Sequence, residues 1–208
     1  MRAVLLVVLL AACKQKPSFK DAAPRPPAGD ARGTFALTYY WIADGLDATG
    51  KPDTAIYDRG CTPIAKVSGK LADELALAGA GKLADGRMVN VHGECECKRS
   101  PCFKVLPDDR PWGVGADNRP LVPFRSLAVD RELIPIGTAL WIEQLDGVDL
   151  PGTFPALHDG CVVADDVGGR IEGAKIDWFV GRRTYYAELH ALLELREVNV
   201  FEGGERCQ

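Results

Sequence analysis

The sequence predicts a mainly β domain, a small β-barrel with one or two short helices, behind an exported and tethered N-terminus. Three observations carry this. Short runs rich in β-branched and aromatic residues recur between Gly/Pro turns. Only residues 184–193 have a convincing helical period. Strands and helices do not alternate as a βαβ sheet would require.

Composition narrows the class further. The 208 residues are 47% apolar and 26% charged, so the bulk can bury a core and is not disordered. With 25 basic and 29 acidic residues the formal charge is −4, which excludes a nucleic-acid binder driven by overall charge. A single apolar run approaches membrane length, which excludes a multi-span protein.

That run opens the chain. Arg2 precedes the apolar residues 3–10, and Leu10-Ala11-Ala12-Cys13 follows before Lys14. A spanning helix needs ~20 apolar residues, and this one stops far short. The pattern resembles a bacterial lipobox more closely than an ordinary cleaved signal peptide. Residues 1–12 are then the signal peptide, and Cys13 is lipidated and anchors the protein to a membrane. Lys14 in place of an aspartate points to the periplasmic face of the outer membrane. Residues 13–33, with Pro17, Pro24, Pro26 and Pro27, read as a lipidated cysteine and flexible tether, and 34–208 as the folded domain.

Six further cysteines remain: Cys61, Cys95, Cys97, Cys102, Cys161 and Cys207. An even number in an exported chain reads as disulfides, with fifteen complete pairings open. Zinc held by Cys95, Cys97, Cys102, Cys161 and His92 is the weaker alternative, because C-x-C-x4-C is not the usual C-x2-C spacing. No metal and no cofactor is expected. Cys207 is expected to pin the C-terminus.

In chain order, residues 34–42 read as a strand, 70–80 as a short helix or a strand, and 83–91 as a hairpin turning on Asp85-Gly86. Residues 61–123 carry four of the cysteines and many prolines and read as a disulfide-tied insertion. Beyond Pro123, strands are expected at 124–129, 139–142, 160–164, 176–180 and 197–201, with the helix at 184–193.

Three aspartates stand in apolar surroundings: Asp130, Asp166 and Asp177. A carboxyl between Ile176 and Trp178 either meets solvent or lines a cleft, where lost hydration raises its pKa. Asp165 and Asp166 are strand neighbours, so one of them faces away from any cleft.

Ala128-Val-Asp130 with Ile134-Pro-Ile-Gly-Thr138, then Ala164-Asp-Asp166-Val-Gly-Gly169, Ile171-Glu-Gly173 and Lys175-Ile-Asp177 resemble the three-aspartate, or 3D, domain. This family includes the C-terminal barrel of membrane-bound lytic transglycosylase A and stationary-phase survival cell-wall proteins. The resemblance covers residues 126–201, and Thr38-Tyr39-Tyr40 matches the opening strand. It implies a six-stranded double-psi β-barrel. It also implies lytic cleavage of the MurNAc-GlcNAc β-1,4 bond of peptidoglycan, leaving a 1,6-anhydro end, with Asp177 as the single acid/base. Asp166 and Asp130 support it, and Thr38, Tyr40, Gly168, Gly169 and Lys175 lie beside the glycan. The implied partners are peptidoglycan glycan strands, with the chain a monomer that binds no nucleic acid. A non-catalytic, expansin-like glycan-binding protein and a water-using glycoside hydrolase are the alternatives. One departure is evident: transglycosylase A has a second domain that walls its groove; no segment here matches it, and the insertion at 61–123 either replaces part of that wall or caps the cleft.

Other residues read more plainly. Tyr39, Tyr40, Trp41, Trp112 and Trp178 are candidates for stacking on sugar rings, at least half of them core instead. His158 reads as part of a turn, His92 as a loop residue and His190 as a surface residue of the helix. Gly168-Gly169 lacks the Gly-Lys-Ser/Thr of a phosphate loop.

Overall fold

The computed structural model describes residues 28–97, 100–152 and 156–208. The expected signal peptide, Cys13 and the tether to residue 27 lie outside them. Gly29 already donates its N–H to the Glu202 carbonyl at 2.8 Å, and the first strand begins at Ala31. Residues 31–33, expected in the tether, therefore belong to the barrel.

Twelve strands and two helices are described. β1 (Ala31–Trp41) leads to β2 (Ala43–Asp44), β3 (Thr54–Tyr57), β4 (Pro63–Val67), helix α1 (Gly69–Ala78), β5 (Ala80–Lys82), β6 (Met88–Val91) and β7 (Phe103–Val105). Then come β8 (Ser126–Val129), β9 (Ala139–Asp149), β10 (Leu157–Asp166), β11 (Lys175–Gly181), helix α2 (Arg183–Leu193) and β12 (Glu197–Glu202). The order β1-β11-β8-β10-β9-β12 closes into a six-stranded barrel. Two of its pairs, β1 with β11 and β8 with β10, are parallel, and the rest are antiparallel. Closure leaves the barrel no free edge, so the expected mainly β, six-stranded barrel is the architecture present.

The barrel interior follows from the two-residue period of its strands. Ile176, Trp178 and Val180 of β11 point inward and are fully buried among Leu127, Val129, Leu140, Ile142 and Val162. Each such side chain contributes roughly 1.5–3 kcal/mol on burial. This parity places Trp178 in the core, so it is not a sugar-stacking residue. Tyr39 and Trp41 also pack inward of α2, with Trp41 stacked on Tyr186 at 4.8 Å.

The residues of opposite parity on β11 face a second lobe. β2-β5-β6-β7 form a four-stranded sheet and β3-β4 a hairpin. They pack with α1 around a separate core of Ala43, Ile56, Val67, Leu71, Leu75, Val89 and Phe103. The uncertain segment at 70–80 is helical because Leu71 and Leu75, one turn apart, both bury on one face. Ser68 also caps it by accepting the Leu71 N–H at 3.2 Å, typically worth ~1 kcal/mol. Phe179 joins lobe to barrel, fully buried with Ile42, Ala80, Met88, Leu106 and Leu121.

All six cysteines of the domain pair, as Cys61–Cys97, Cys95–Cys102 and Cys161–Cys207. The first two tie the insertion, and the third fastens the C-terminus to β10. Although the Cys61, Cys95 and Cys97 sulfurs cluster, a paired sulfur has no thiolate to offer a metal. Cys161, bonded to Cys207, does not join that cluster.

Candidate functional site

Strand register sets the site. Thr38 of β1 pairs with Asp177 of β11, Asp177 pairs with Ala128 of β8, and Ala128 pairs with Asp166 of β10. Directly opposed residues share a sheet face, so these four form one row across four strands. A β-bulge at Asp165 sets two residues of β10 against one of β8 and re-aims the carboxyls there. Asp165 is buried, accepting from Arg119 Nε at 2.6 Å and from Ser126 Oγ at 2.7 Å. Asp166 turns the other way and accepts from Tyr40 Oη at 3.1 Å.

A groove of about 610 Å³ runs between the row and the second lobe. Its barrel side carries Tyr40, Ala128, Asp166, Gly168, Gly169 and Asp177. The facing wall includes Asn90, His92, Lys104 and residues 114–118. Asn90 holds this wall by giving Nδ2–H to the Val114 carbonyl at 2.7 Å and accepting the Val114 N–H at 3.1 Å. Gly113 makes room for that clamp: its φ is +85°, and a Cβ there would stand 2.8 Å from Asn90 Oδ1. A Cβ on Gly115 would lie 2.9 Å from the Asp166 Cβ and Cγ atoms. The wall's backbone thus rests directly on the carboxyl-bearing residue.

The electrostatics follow from this enclosure. Burial pushes Asp166 up to about 6, against the N–H groups of Val167 and Ala116 and the Tyr40 hydroxyl, which favour its charged form. Burial and the adjacent Asp166 raise the Tyr40 phenol well above its ordinary value, so it stays a donor. Asp177 is also raised, chiefly by burial, with Thr38 and the Lys175 charge pulling it back. Its Oδ1 is buried and has no hydrogen-bond partner among the described residues. An ionised carboxylate with an unpaired buried oxygen is costly, and protonation relieves that cost.

Of the three aspartates read from the sequence, the groove takes two. Asp130 is not among its lining residues; its carboxylate accepts from Gly173 N–H at 2.8 Å and Glu132 N–H at 3.0 Å. Those bonds hold its pKa down and tie two loops together. Tyr40, Gly168 and Gly169 line the groove. Thr38 stands beside Asp177 in the row, its hydroxyl donating to the Ile176 carbonyl at 3.4 Å. Lys175 Nζ reaches the Arg170 carbonyl at 3.2 Å, near Asp177 but off the lining.

Of the five aromatic candidates, only Tyr40 lines the groove; Trp112 meets Phe179 edge-on and Arg182. His158 is not in a turn but in β10. It is fully buried, its Nδ1 accepting the Gly160 N–H at 2.8 Å and its Nε2 lying 2.6 Å from the Phe124 carbonyl. Asn90, Lys104 and the 114–118 wall are site residues that the sequence reading does not mark, and His92, weighed there only as a loop residue or a zinc ligand, lines the groove. The one sequence signal for them was Trp112-Gly-Val-Gly115, which marks a backbone built for close approach.

Residues 125–189 match the 3D domain. No curated protein sequence is significantly similar to the chain. The fold is similar to Escherichia coli MltA with bound chitohexaose, at 19% identity and a TM-score of 0.56, over 82% of this chain and 71% of that one. It is also similar to a membrane-bound lytic murein transglycosylase of Agrobacterium tumefaciens, at 16% identity and a TM-score of 0.55, over 81% and 73%. Those shares exceed what the barrel and termini supply, so the likeness extends into the second lobe, the insertion that either replaces part of the groove wall or caps the cleft on the sequence reading. The chain carries a 3D domain, set in a barrel whose fold is similar to that of the MltA lytic transglycosylases.

Proposed function

We propose that the protein is a peptidoglycan lytic transglycosylase with Asp177 as its single acid/base. The observation that carries this is Asp177 itself: a groove-lining carboxyl raised by burial, with an unpartnered buried oxygen. In its protonated form it gives its proton to the glycosidic oxygen as the C1–O bond breaks and positive charge develops at C1. The C6 hydroxyl of the same muramic residue then bonds to C1 and returns a proton to Asp177. No water is consumed, so one carboxyl serves where hydrolysing glycosidases use two. Asp166, fixed by Tyr40 and the Val167 N–H, lines the same groove beyond Ala128. Asp130 orders the loops that flank it.

The chitohexaose bound by E. coli MltA supports a glycan strand as the ligand here. A purely binding groove would present a strip of aromatic faces, and Tyr40 alone of the five candidates lines this one, already bonded to Asp166. Three disulfides support an oxidising, extracytoplasmic compartment. Leu10-Ala-Ala-Cys13 supports a lipid anchor, which Cys13→Ser should abolish, releasing the protein from membranes or blocking its processing. Unchanged membrane partitioning of a correctly processed Cys13→Ser protein would exclude the anchor.

Digestion of purified sacculi, followed by mass spectrometry of the muropeptides, tests the activity. The expected products carry 1,6-anhydro ends. Reducing ends would assign hydrolysis instead, and binding without products would leave a glycan-binding protein.

A further inference from the structure

The two sides of the groove carry different ionisable groups. Barrel residues supply two carboxyls, Asp166 and Asp177, while the facing wall carries one lysine and one acid. The second lobe supplies a cation on the opposite wall: Lys104 of β7 lines the groove and donates from Nζ to Asn118 Oδ1 at 2.9 Å. Cross-strand neighbours position it. Asn90 pairs with Lys104 in register, Asn90 holds Val114, and Lys104 holds Asn118, so one strand pair grips both ends of the same wall. An ammonium has three donors, and the bond to Asn118 uses one. The acid on that wall, Asp117, is drawn toward Arg131, 3.6 Å away. His92 adds a further polar ring to the wall.

We infer that Lys104 is a specificity residue that selects glycan strands carrying a carboxylate over neutral ones. This rests on the proposed reading of the groove as a glycan site and adds the chemistry of its second wall. The carboxylate has two possible sources on such a strand: the lactyl group of a peptide-free muramic residue, or the peptide stem. A fixed ammonium facing the strand binds either as a charge-assisted hydrogen bond. A neutral N-acetylglucosamine oligomer offers it nothing comparable.

The test compares wild type with Lys104→Gln and Lys104→Arg. Glutamine, one bond shorter, offers a neutral N–H donor and removes the charge, while arginine keeps the charge and the reach. Three substrates are used: a neutral chito-oligosaccharide, peptide-free glycan strands, and strands bearing stems. Cleavage and equilibrium binding are both read at two salt concentrations. The expected result for Lys104→Gln is a loss of about tenfold in kcat/KM or affinity on carboxylate-bearing strands, seated in KM. The neutral oligomer should be unaffected, Lys104→Arg should recover most of the loss, and added salt should erase the difference. Loss on peptide-free strands assigns the lactyl carboxylate; loss confined to stem-bearing strands assigns the stem. Equal loss on all three substrates would make Lys104 a mere clamp for the wall and overturn the inference, as would no loss on any. Binding that depends on Lys104 without cleavage would sink the transglycosylase reading and leave the specificity role standing. Failure of wild type to bind any strand would remove both.

Discussion

Asp177 and Asp166 stand in the same cross-strand row of the barrel, with Ala128 as the only residue between them. Two strand spacings separate their backbones by roughly 9–10 Å. The smallest chiral side chain occupies the middle position, so the groove stays open between the carboxyls. Both acids also sit beside a tyrosine or threonine of β1, which closes the row against the first strand.

Ala128→Val should fill that gap. Valine suits a strand backbone, and its two added methyl groups enter the space a sugar would need. Glycan cleavage is expected to fall on the order of tenfold or more, with Ala128→Ser close to wild type. Thermal unfolding of both variants checks that the barrel survives; an active, folded Ala128→Val protein would show that substrate does not pass between the acids.

Asp166 makes stability depend on pH with a definite sign. Its pKa is about 6 in the folded protein against 3.8 for the ordinary side chain. The folded state therefore holds its proton more tightly, and folding becomes less favourable as pH rises from 3.8 toward 6. Asp166→Asn removes that penalty. The variant's melting temperature relative to wild type should climb between pH 4 and pH 7. A difference that stays flat across this window would place the carboxyl in water rather than under the wall.

His158 acts in the opposite sense. Burial, above all, holds its pKa below 6.5, so the folded state keeps the ring neutral while the unfolded chain takes up a proton. Stability should decline as pH falls below about 6.5, an effect that His158→Gln should lessen. Chemical denaturation of both proteins at pH 7.5 and pH 5.5 measures it.

On strand alternation alone, Asp165 belongs to the far side of β10 and its substitution should matter little. The structure gives the alternation a different consequence. Asp165 joins Arg119, at the end of the groove wall, to Ser126 at the start of β8. Asp165→Asn keeps the volume and leaves Arg119 without its charged partner, an expected loss of about 2 kcal/mol. Denaturant unfolding checks the stability, and a near-wild-type midpoint would show that the wall is anchored elsewhere.

How much of this was legible varies by element, for physical reasons. On β11 the alternation Ile176, Trp178, Val180 against Asp177, Phe179 is written in the sequence. The same alternation implies that if Asp177 faces outward, Trp178 must face the core. The barrel strands were legible because half of each strand's residues are buried. The second half of β9 was not, since Asp146 and the positive-φ Gly147 interrupt its period. Six cysteines announced disulfides, but spacing holds no information on partners that folding brings together, such as Cys161 and Cys207. The groove wall was the least legible part. Asn90, His92, Lys104 and Asn118 become a surface only when β6, β7 and the 113–118 loop are clamped together, and no local pattern records that. Asp130 matched its motif in sequence, yet its neighbours made it a bracket between loops.

Release of 1,6-anhydro-muropeptides from sacculi by wild type and by Asp177→Asn is the most direct measurement of whether Asp177 is the acid/base. Asparagine keeps the side-chain volume and removes the transferable proton. General acid–base help is typically worth ~10²–10⁴ in rate. The rate should therefore drop by at least about a hundredfold while sacculus binding and thermal stability are retained. An Asp177→Asn protein that releases anhydro products at the wild-type rate would contradict the assignment outright.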